Sequence, residues 1–143
     1  MRPTFEFRLE PLLDWRRRAE REREREFALR RRALAECSDE LEQNQAARAR
    51  CADTADLRLR DAHLSYLERA GAALRASRLD LEAACDRARL RLASAHRERR
   101  VVESLKERRR RIFDAAQARR EELEIDEGNA RRLERARRKR FVS

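Results

Sequence analysis

The side chains that could perform nucleophilic or metal chemistry in this chain are three cysteines and two histidines: Cys37, Cys51, Cys85, His63 and His96. No two cysteines form a C-x-x-C pair, and neither histidine has a spacing typical of a metal site. The odd number of cysteines also argues against a disulfide framework. We therefore expect no metal site and no disulfide.

Acidic side chains are abundant, and carboxylates can act as general acids or bases. Catalysis, however, needs a pocket that excludes water and shifts a pKa. The helical pattern described below offers no such pocket, because extended helices have no enclosed interior. We therefore expect that the chain is not an enzyme and needs no cofactor.

The composition favours helices over both a globular core and disorder. Of 143 residues, 46 % are charged and 5 % aromatic, with only 2 Gly and 2 Pro. Such a balance also occurs in disordered chains, but Ala, Arg, Glu and Leu are strong helix formers. Their dominance at helical periodicity is typical of coiled coils. We expect one all-α domain over residues 1–143, a long two-helix antiparallel coiled-coil hairpin with helix 2 longer than helix 1.

An extended lead-in is predicted because Phe5, Phe7 and Leu9 alternate with charged residues. Pro11 suits the start of a helix, where its missing N–H needs no partner. The reversal is marked only by capping-type side chains, and one unbroken helix that pairs with another chain is the alternative. The capping-type residues are Asp53, Thr54, Asp56, Asp61 and Ser65. The expected elements are the lead-in at 1–10, helix 1 at about 11–54, the turn at about 55–64 and helix 2 at about 65–140.

Apolar residues recur at heptad spacing along helix 2, which predicts a left-handed coiled coil. Between Arg16 and Glu26, by contrast, only Ala19 is available to pack on a partner. This stretch is therefore expected to be helical but weakly packed. With the reversal in the predicted turn, Cys37 and Cys85 are expected to face each other as small buried side chains.

Helix 2 is expected to extend past helix 1 by roughly 25 residues. Leu123, Ala130 and Leu133 continue the apolar stripe there, and seven basic residues and one acid lie between Arg131 and Arg140. This end is predicted to bind an acidic partner. A solvated helix end, which the helix dipole would also favour, is the alternative.

The net charge of +10 indicates an anionic partner without identifying it. A nucleic acid is the less favoured alternative, because acids interleave with the basic residues and aromatic stacking platforms are absent. No apolar run approaches the ~20 residues of a membrane span, and no secretory signal is visible. We therefore expect a cytosolic protein.

Aromatic side chains near the N-terminus could bind a partner, because aromatics often dominate interfaces. They are Phe5, Phe7 and Trp15. Packing on helix 2 is the alternative for the two phenylalanines.

Three stretches of the chain resemble the FliJ family, a small coiled-coil component of the bacterial flagellar export apparatus. They are FEFRLEPLLDWRRR at 5–18, ERRVVESLKERRR at 98–110 and RREELEIDEGN at 119–129. The chain departs from the family pattern at Gly128 and Asn129, where an apolar residue and Ala are usual, and at Ala70, where Leu is common.

The resemblance implies a stalk inside the hexameric export ATPase that connects it to the membrane export gate and assists export chaperones. It implies a part in flagellum biogenesis and motility, at the cytoplasmic face of the inner membrane. The equivalent stalk of a virulence-type injectisome is the alternative. Tyr66 and Leu67 would lie nearer the gate, and for Tyr66 a role in capping the turn is the alternative. The residues implied to face the ATPase are Phe5, Phe7, Arg119, Arg120, Arg131, Arg132, Arg135 and Arg138.

Overall fold

The structure is a computed structural model that describes residues 3–53 and 55–141. Two helices, α1 at Glu10–Ala52 and α2 at Leu57–Phe141, contain most of these residues, and no strand occurs among them. α1 has 43 residues and α2 has 85. The expected all-α fold with a longer second helix is therefore confirmed. The first two residues of the predicted lead-in, and Thr54 at the predicted end of helix 1, lie outside the described residues.

The lead-in has no regular structure from residue 3 to residue 7, and α1 begins at Glu10. The Glu10 N–H donates to the Phe7 carbonyl at 2.9 Å, and the Leu13 N–H donates to the Leu9 carbonyl at 3.0 Å. Pro11 thus lies in the first turn of α1, where a missing N–H leaves no hydrogen bond unmade.

The turn between the helices is short, and α2 begins at Leu57 rather than near residue 65. The carboxylate of Asp56 accepts hydrogen bonds from the N–H groups of Arg58 at 3.0 Å and Leu59 at 3.3 Å. This cap satisfies two backbone donors that a helix start otherwise leaves unpaired. Ser65, which the sequence also offered as a capping residue, lies inside α2. The observed turn excludes the alternative of one unbroken helix.

Contacts divide the chain into two compact units. The first unit contains the N-terminal residues through Leu13 and α2 from Arg100 onward, and the second contains Asp14–Arg99. The single domain that the sequence suggested stays a prediction.

A small apolar core holds the N-terminal segment of the first unit against α2. Phe7, Leu13 and Val102 are buried, and Leu13 is 0 % exposed. The side chains that pack around this core are Phe5, Leu9 and Leu105. At its edge, Lys106 Nζ lies 2.6 and 2.8 Å from the two carboxylate oxygens of Glu10. Apolar contact and the Glu10–Lys106 ion pair therefore fix this segment.

In the second unit, α1 and α2 pack antiparallel as the predicted hairpin. The Cys37 thiol donates to the Leu74 carbonyl at 3.5 Å. The prediction that Cys37 faces Cys85 is therefore wrong, because the reversal comes earlier in the chain than expected. Cys85 lies about three helical turns beyond Leu74 along α2.

A buried amide fixes the pairing of the two helices near the turn. Asn44 is 9 % exposed, and its Nδ2 donates to the Leu67 carbonyl at 3.0 Å. A Cβ atom on Gly71 would lie 2.8 Å from Asn44 Oδ1. Gly costs about 1 kcal/mol relative to Ala inside a helix, and here its missing side chain leaves room for the amide.

Candidate binding surfaces

An interhelical ion-pair cluster occupies the stretch of α1 that the sequence predicted to be weakly packed. Glu20 is buried at 9 % exposure. Its Oε1 lies 2.8 Å from His96 Nδ1, and its Oε2 accepts a hydrogen bond from Arg99 Nε. Arg16 pairs with Glu98 on the same two helices. Charge therefore replaces apolar contact at this level of the hairpin.

A second carboxylate of the cluster, Glu26, binds two arginines at once. Arg23 lies 2.9 Å from Glu26 Oε2, and Arg91 lies 3.0 Å from Oε1. Since Arg23 belongs to α1 and Arg91 to α2, this carboxylate joins the helices.

Both carboxylates have pKa values below the usual value of 4.5. Burial by itself raises the pKa of Glu20, but hydrogen bonds from His96 and Arg99 and the charge of Arg99 together outweigh it. The hydrogen bond from Arg23 lowers the pKa of Glu26 against a smaller opposing effect of burial, and the charges of Arg91 and Arg23 lower it further. The ionised forms are thus stabilised by folding.

Acid is expected to destabilise the hairpin through Glu20. Because the folded-state pKa lies below the unfolded one, the stabilisation is complete above pH 4.5 and is lost as pH falls through the folded-state value. Glu20→Gln is expected to cost about 1–2 kcal/mol of unfolding free energy at neutral pH. It should also flatten the fall in melting temperature between about pH 5 and pH 3. Circular dichroism melts measure both effects.

The matched control is Glu24→Gln, which neutralises an exposed carboxylate one turn along α1. It should keep the wild-type pH dependence. Parallel acid transitions in the two variants would show that Glu20 is not coupled to folding.

The sequence contained a signal for the buried polar residues that our reading of it missed. Glu20 stands midway between Leu13 and Phe27 in a repeat of seven, and Asn44 stands midway between Cys37 and Cys51. Residues at this spacing share one face of a coiled coil. Heptad position therefore marks both as interface residues despite their polarity.

The C-terminal part of α2 has no buried side chain. From Ala118 to Phe141 every residue except Gly128 is exposed. This stretch, which we call the α2 tail, includes the exposed apolar residues Leu123, Ile125, Leu133 and Phe141. Leu123, Leu133 and Phe141 fall within about a quarter of the helix circumference, and an exposed apolar stripe of this kind is typical of a protein-binding surface.

The basic residues predicted to contact a partner all lie exposed in the α2 tail: Arg119, Arg120, Arg131, Arg132, Arg135 and Arg138. Within the tail, Arg131 also donates to Glu127 at 3.3 Å. At 3.6 residues per turn, five basic residues fall on about one third of the helix circumference. They are Arg131, Arg132, Arg135, Arg138 and Lys139, and we call them the basic face.

The two N-terminal phenylalanines pack on α2, which is the alternative that the sequence left open. The centroids of the Phe5 and Phe113 rings are 5.6 Å apart. The Arg110 guanidinium lies 5.7 Å from the centroid of the Phe5 ring. Phe7 is buried in the core of the first unit, with Lys106 Nζ 6.0 Å from its ring. Phe7 thus has little surface left for a partner.

The structure separates the two residues predicted to contact the gate. Tyr66 is 61 % exposed and stacks on His63, with 6.4 Å between the ring centroids. Leu67 is buried, and its carbonyl accepts the Asn44 amide. Tyr66 is therefore on the surface, and Leu67 belongs to the interface between the helices.

Among the described residues, no group of three or more His, Cys, Asp or Glu side chains could hold a metal ion. Across residues 3–53 and 55–141, neither helix combines the length and the apolar character needed to cross a membrane. The three cysteines are free thiols.

The paired helices with their charged interface define an all-α coiled-coil protein. A family model described as flagellar FliJ protein matches residues 5–138. The chain therefore belongs to the FliJ family and is a component of the flagellar export apparatus. No curated protein and no solved structure matches it significantly.

Proposed function

We propose that this protein is the non-catalytic stalk that links the hexameric export ATPase to the membrane export gate and assists export chaperones. The observation that carries the proposal is the exposure of the whole α2 tail apart from Gly128. A helix end whose side chains are not covered by the rest of the chain is available to a partner. The family match supports the flagellar system over the injectisome.

The ATPase contact is assigned to the α2 tail because its basic residues would complement a ring lumen lined with acidic groups. Seven of the ten residues from Arg131 to Arg140 are basic, and a field of this sign steers an acidic partner into place. Leu123 and Leu133 lie away from the basic face on the helix circumference. They would supply apolar contacts that slow the dissociation of such a complex.

The gate contact is assigned to Tyr66, at the end of α2 next to the turn. Leu57 and Leu59 are also exposed in this first part of α2. Leu67 supports this surface only indirectly, because it is buried. Binding to the gate would hold the protein peripherally at the cytoplasmic face of the membrane.

Site-specific crosslinking in cells tests both contacts. A photo-crosslinking amino acid in place of Leu133 is expected to trap the export ATPase, and one in place of Tyr66 is expected to trap the gate protein. Leu79 is the control, because it is equally exposed on α2 but lies in neither proposed surface. Detection is by mass spectrometry of the adducts.

An adduct of the ATPase from all three positions alike would indicate collision rather than docking. If Leu133 traps DNA or RNA and no ATPase, the protein is a nucleic-acid-binding coiled coil instead. If no adduct with the ATPase forms at all, the stalk assignment is wrong.

A further inference from the structure

A groove on one side of the second unit plays no part in the proposed function. One wall is α1 over residues 15–23, and the other is α2 over residues 91–98. The groove has a volume of about 520 Å³ and is partly open to solvent. This volume is within the range of binding pockets. Ala19 and Ala95 are half-buried between the walls, so their small side chains leave the space that larger ones would fill.

Trp15, the single tryptophan of the chain, stands at the groove. It is 55 % exposed, and the Arg16 guanidinium lies 4.9 Å from its ring centroid. The Arg16 side chain is tied in turn to Glu98 of α2. The ring is therefore a large apolar surface held in place but only half covered, and tryptophan is enriched among the residues that dominate interfaces.

The charges around the groove favour an acidic occupant. Its lining contains four arginines, Arg16, Arg18, Arg23 and Arg91, against two glutamates, Glu22 and Glu98. Arg23 and Arg91 share the single carboxylate of Glu26, which leaves an excess of positive charge between them. Arg18 is exposed at the groove.

We propose that this groove binds an acidic helix of a partner protein. The α1 wall is about 12 Å long, which matches two turns of a third helix. One large apolar side chain would insert over Ala19 and Ala95 against Trp15, and carboxylates would face Arg18 and Arg91. A nucleic acid fits less well, because it offers no aliphatic side chain to fill the space over Ala19 and Ala95.

The sole tryptophan makes the groove directly observable. The full chain is labelled with 5-fluorotryptophan, and its ¹⁹F resonance is followed by NMR during titration with a capped helical peptide of Leu-Glu-Glu-Ala repeats. The peptide has about 20 residues, long enough to form a helix alone. We expect a saturable shift with a Kd of about 0.1–1 mM. A peptide with Lys for Glu, and a single-stranded thymidine oligonucleotide of equal length, should give none.

Two pairs of variants locate the binding. We expect Arg18→Glu to weaken peptide binding about tenfold, because it replaces an attractive charge with a repulsive one. We expect a similar loss from Ala19→Leu, because the larger side chain fills the groove. Their controls are Arg30→Glu and Ala28→Leu, which make the same changes at exposed positions further along α1 and should bind like the wild type. Arg18 is exposed, so its substitution leaves the fold intact even if Ala19→Leu does not.

The proposal is overturned if the acidic peptide gives no saturable shift, or if Arg18→Glu and Arg30→Glu weaken binding equally. It is also overturned if the oligonucleotide shifts the Trp15 resonance and the peptide does not. Because neither ATPase nor gate protein is present, these outcomes are independent of the proposed function.

Discussion

Leu13→Ala is expected to lower the free energy of unfolding by about 2–5 kcal/mol, the cost of removing a fully buried leucine side chain and leaving a cavity. Leu13 is 0 % exposed and shares its core with Phe7 and Val102. A core of so few side chains has little means of closing the gap. Urea unfolding followed by circular dichroism measures the loss. Hydrogen exchange at Val102 reports whether the first unit opens locally.

Leu12→Ala is the matched control, because it removes the same atoms from the adjacent position of α1. Leu12 is 38 % exposed, so the expected loss is below about 1 kcal/mol. Equal losses in the two variants would mean that Leu13 is not the centre of this core. Unchanged stability in Leu13→Ala would contradict the packing of the N-terminal segment on α2.

Reversing two charges on the basic face, with Arg135→Glu and Arg138→Glu together, is expected to weaken ATPase binding by roughly two orders of magnitude at low ionic strength. Each change removes an attraction to acidic groups and adds a repulsion. Because exposed charges are screened by salt, the difference from the wild type should shrink as salt is added. Calorimetric titration of the purified ATPase with each protein measures both effects.

The control for this pair is Arg87→Glu with Arg97→Glu, which gives the same net charge. Both residues are exposed on α2 but lie outside the α2 tail. They should change binding only a little, through net charge. If both double variants lose affinity alike, the α2 tail is not the contact. If the tail variant binds like the wild type, the basic face has no role.

The two helices were predictable because their signal is distributed over many residues. Helix-forming composition and heptad spacing extend along both elements, and no single position decides them. The turn was harder to place, because no Gly or Pro marks it and several capping-type residues compete. Asp56 rather than Ser65 caps α2, and the choice depends on which pairing of the helices buries the most favourable set of residues.

The candidate binding surfaces also differ in how far they could be predicted from the sequence. Exposure of the α2 tail follows from the unequal lengths of the helices, which the sequence reveals. The burial of Glu20 is indicated only by its heptad position, since a glutamate in a charged run is normally solvated. Its partners His96 and Arg99 are distant in sequence, so only the tertiary structure brings them together. The same holds for Trp15, whose groove exists only when α1 and α2 are paired.

The contact of Asn44 with Leu67 and Gly71 has a consequence for how proteins of this kind can vary in length. If one helix slid along the other by a heptad, Leu64 or Arg78 would take the place of Gly71, and its side chain would clash with the buried amide. Insertions or deletions within one helix alone should therefore be rare between this contact and the far end of the hairpin. Insertion or deletion of a whole heptad in both helices at once would be tolerated. The molecule can therefore be lengthened or shortened in steps of seven residues per helix while the contacts between the helices stay aligned.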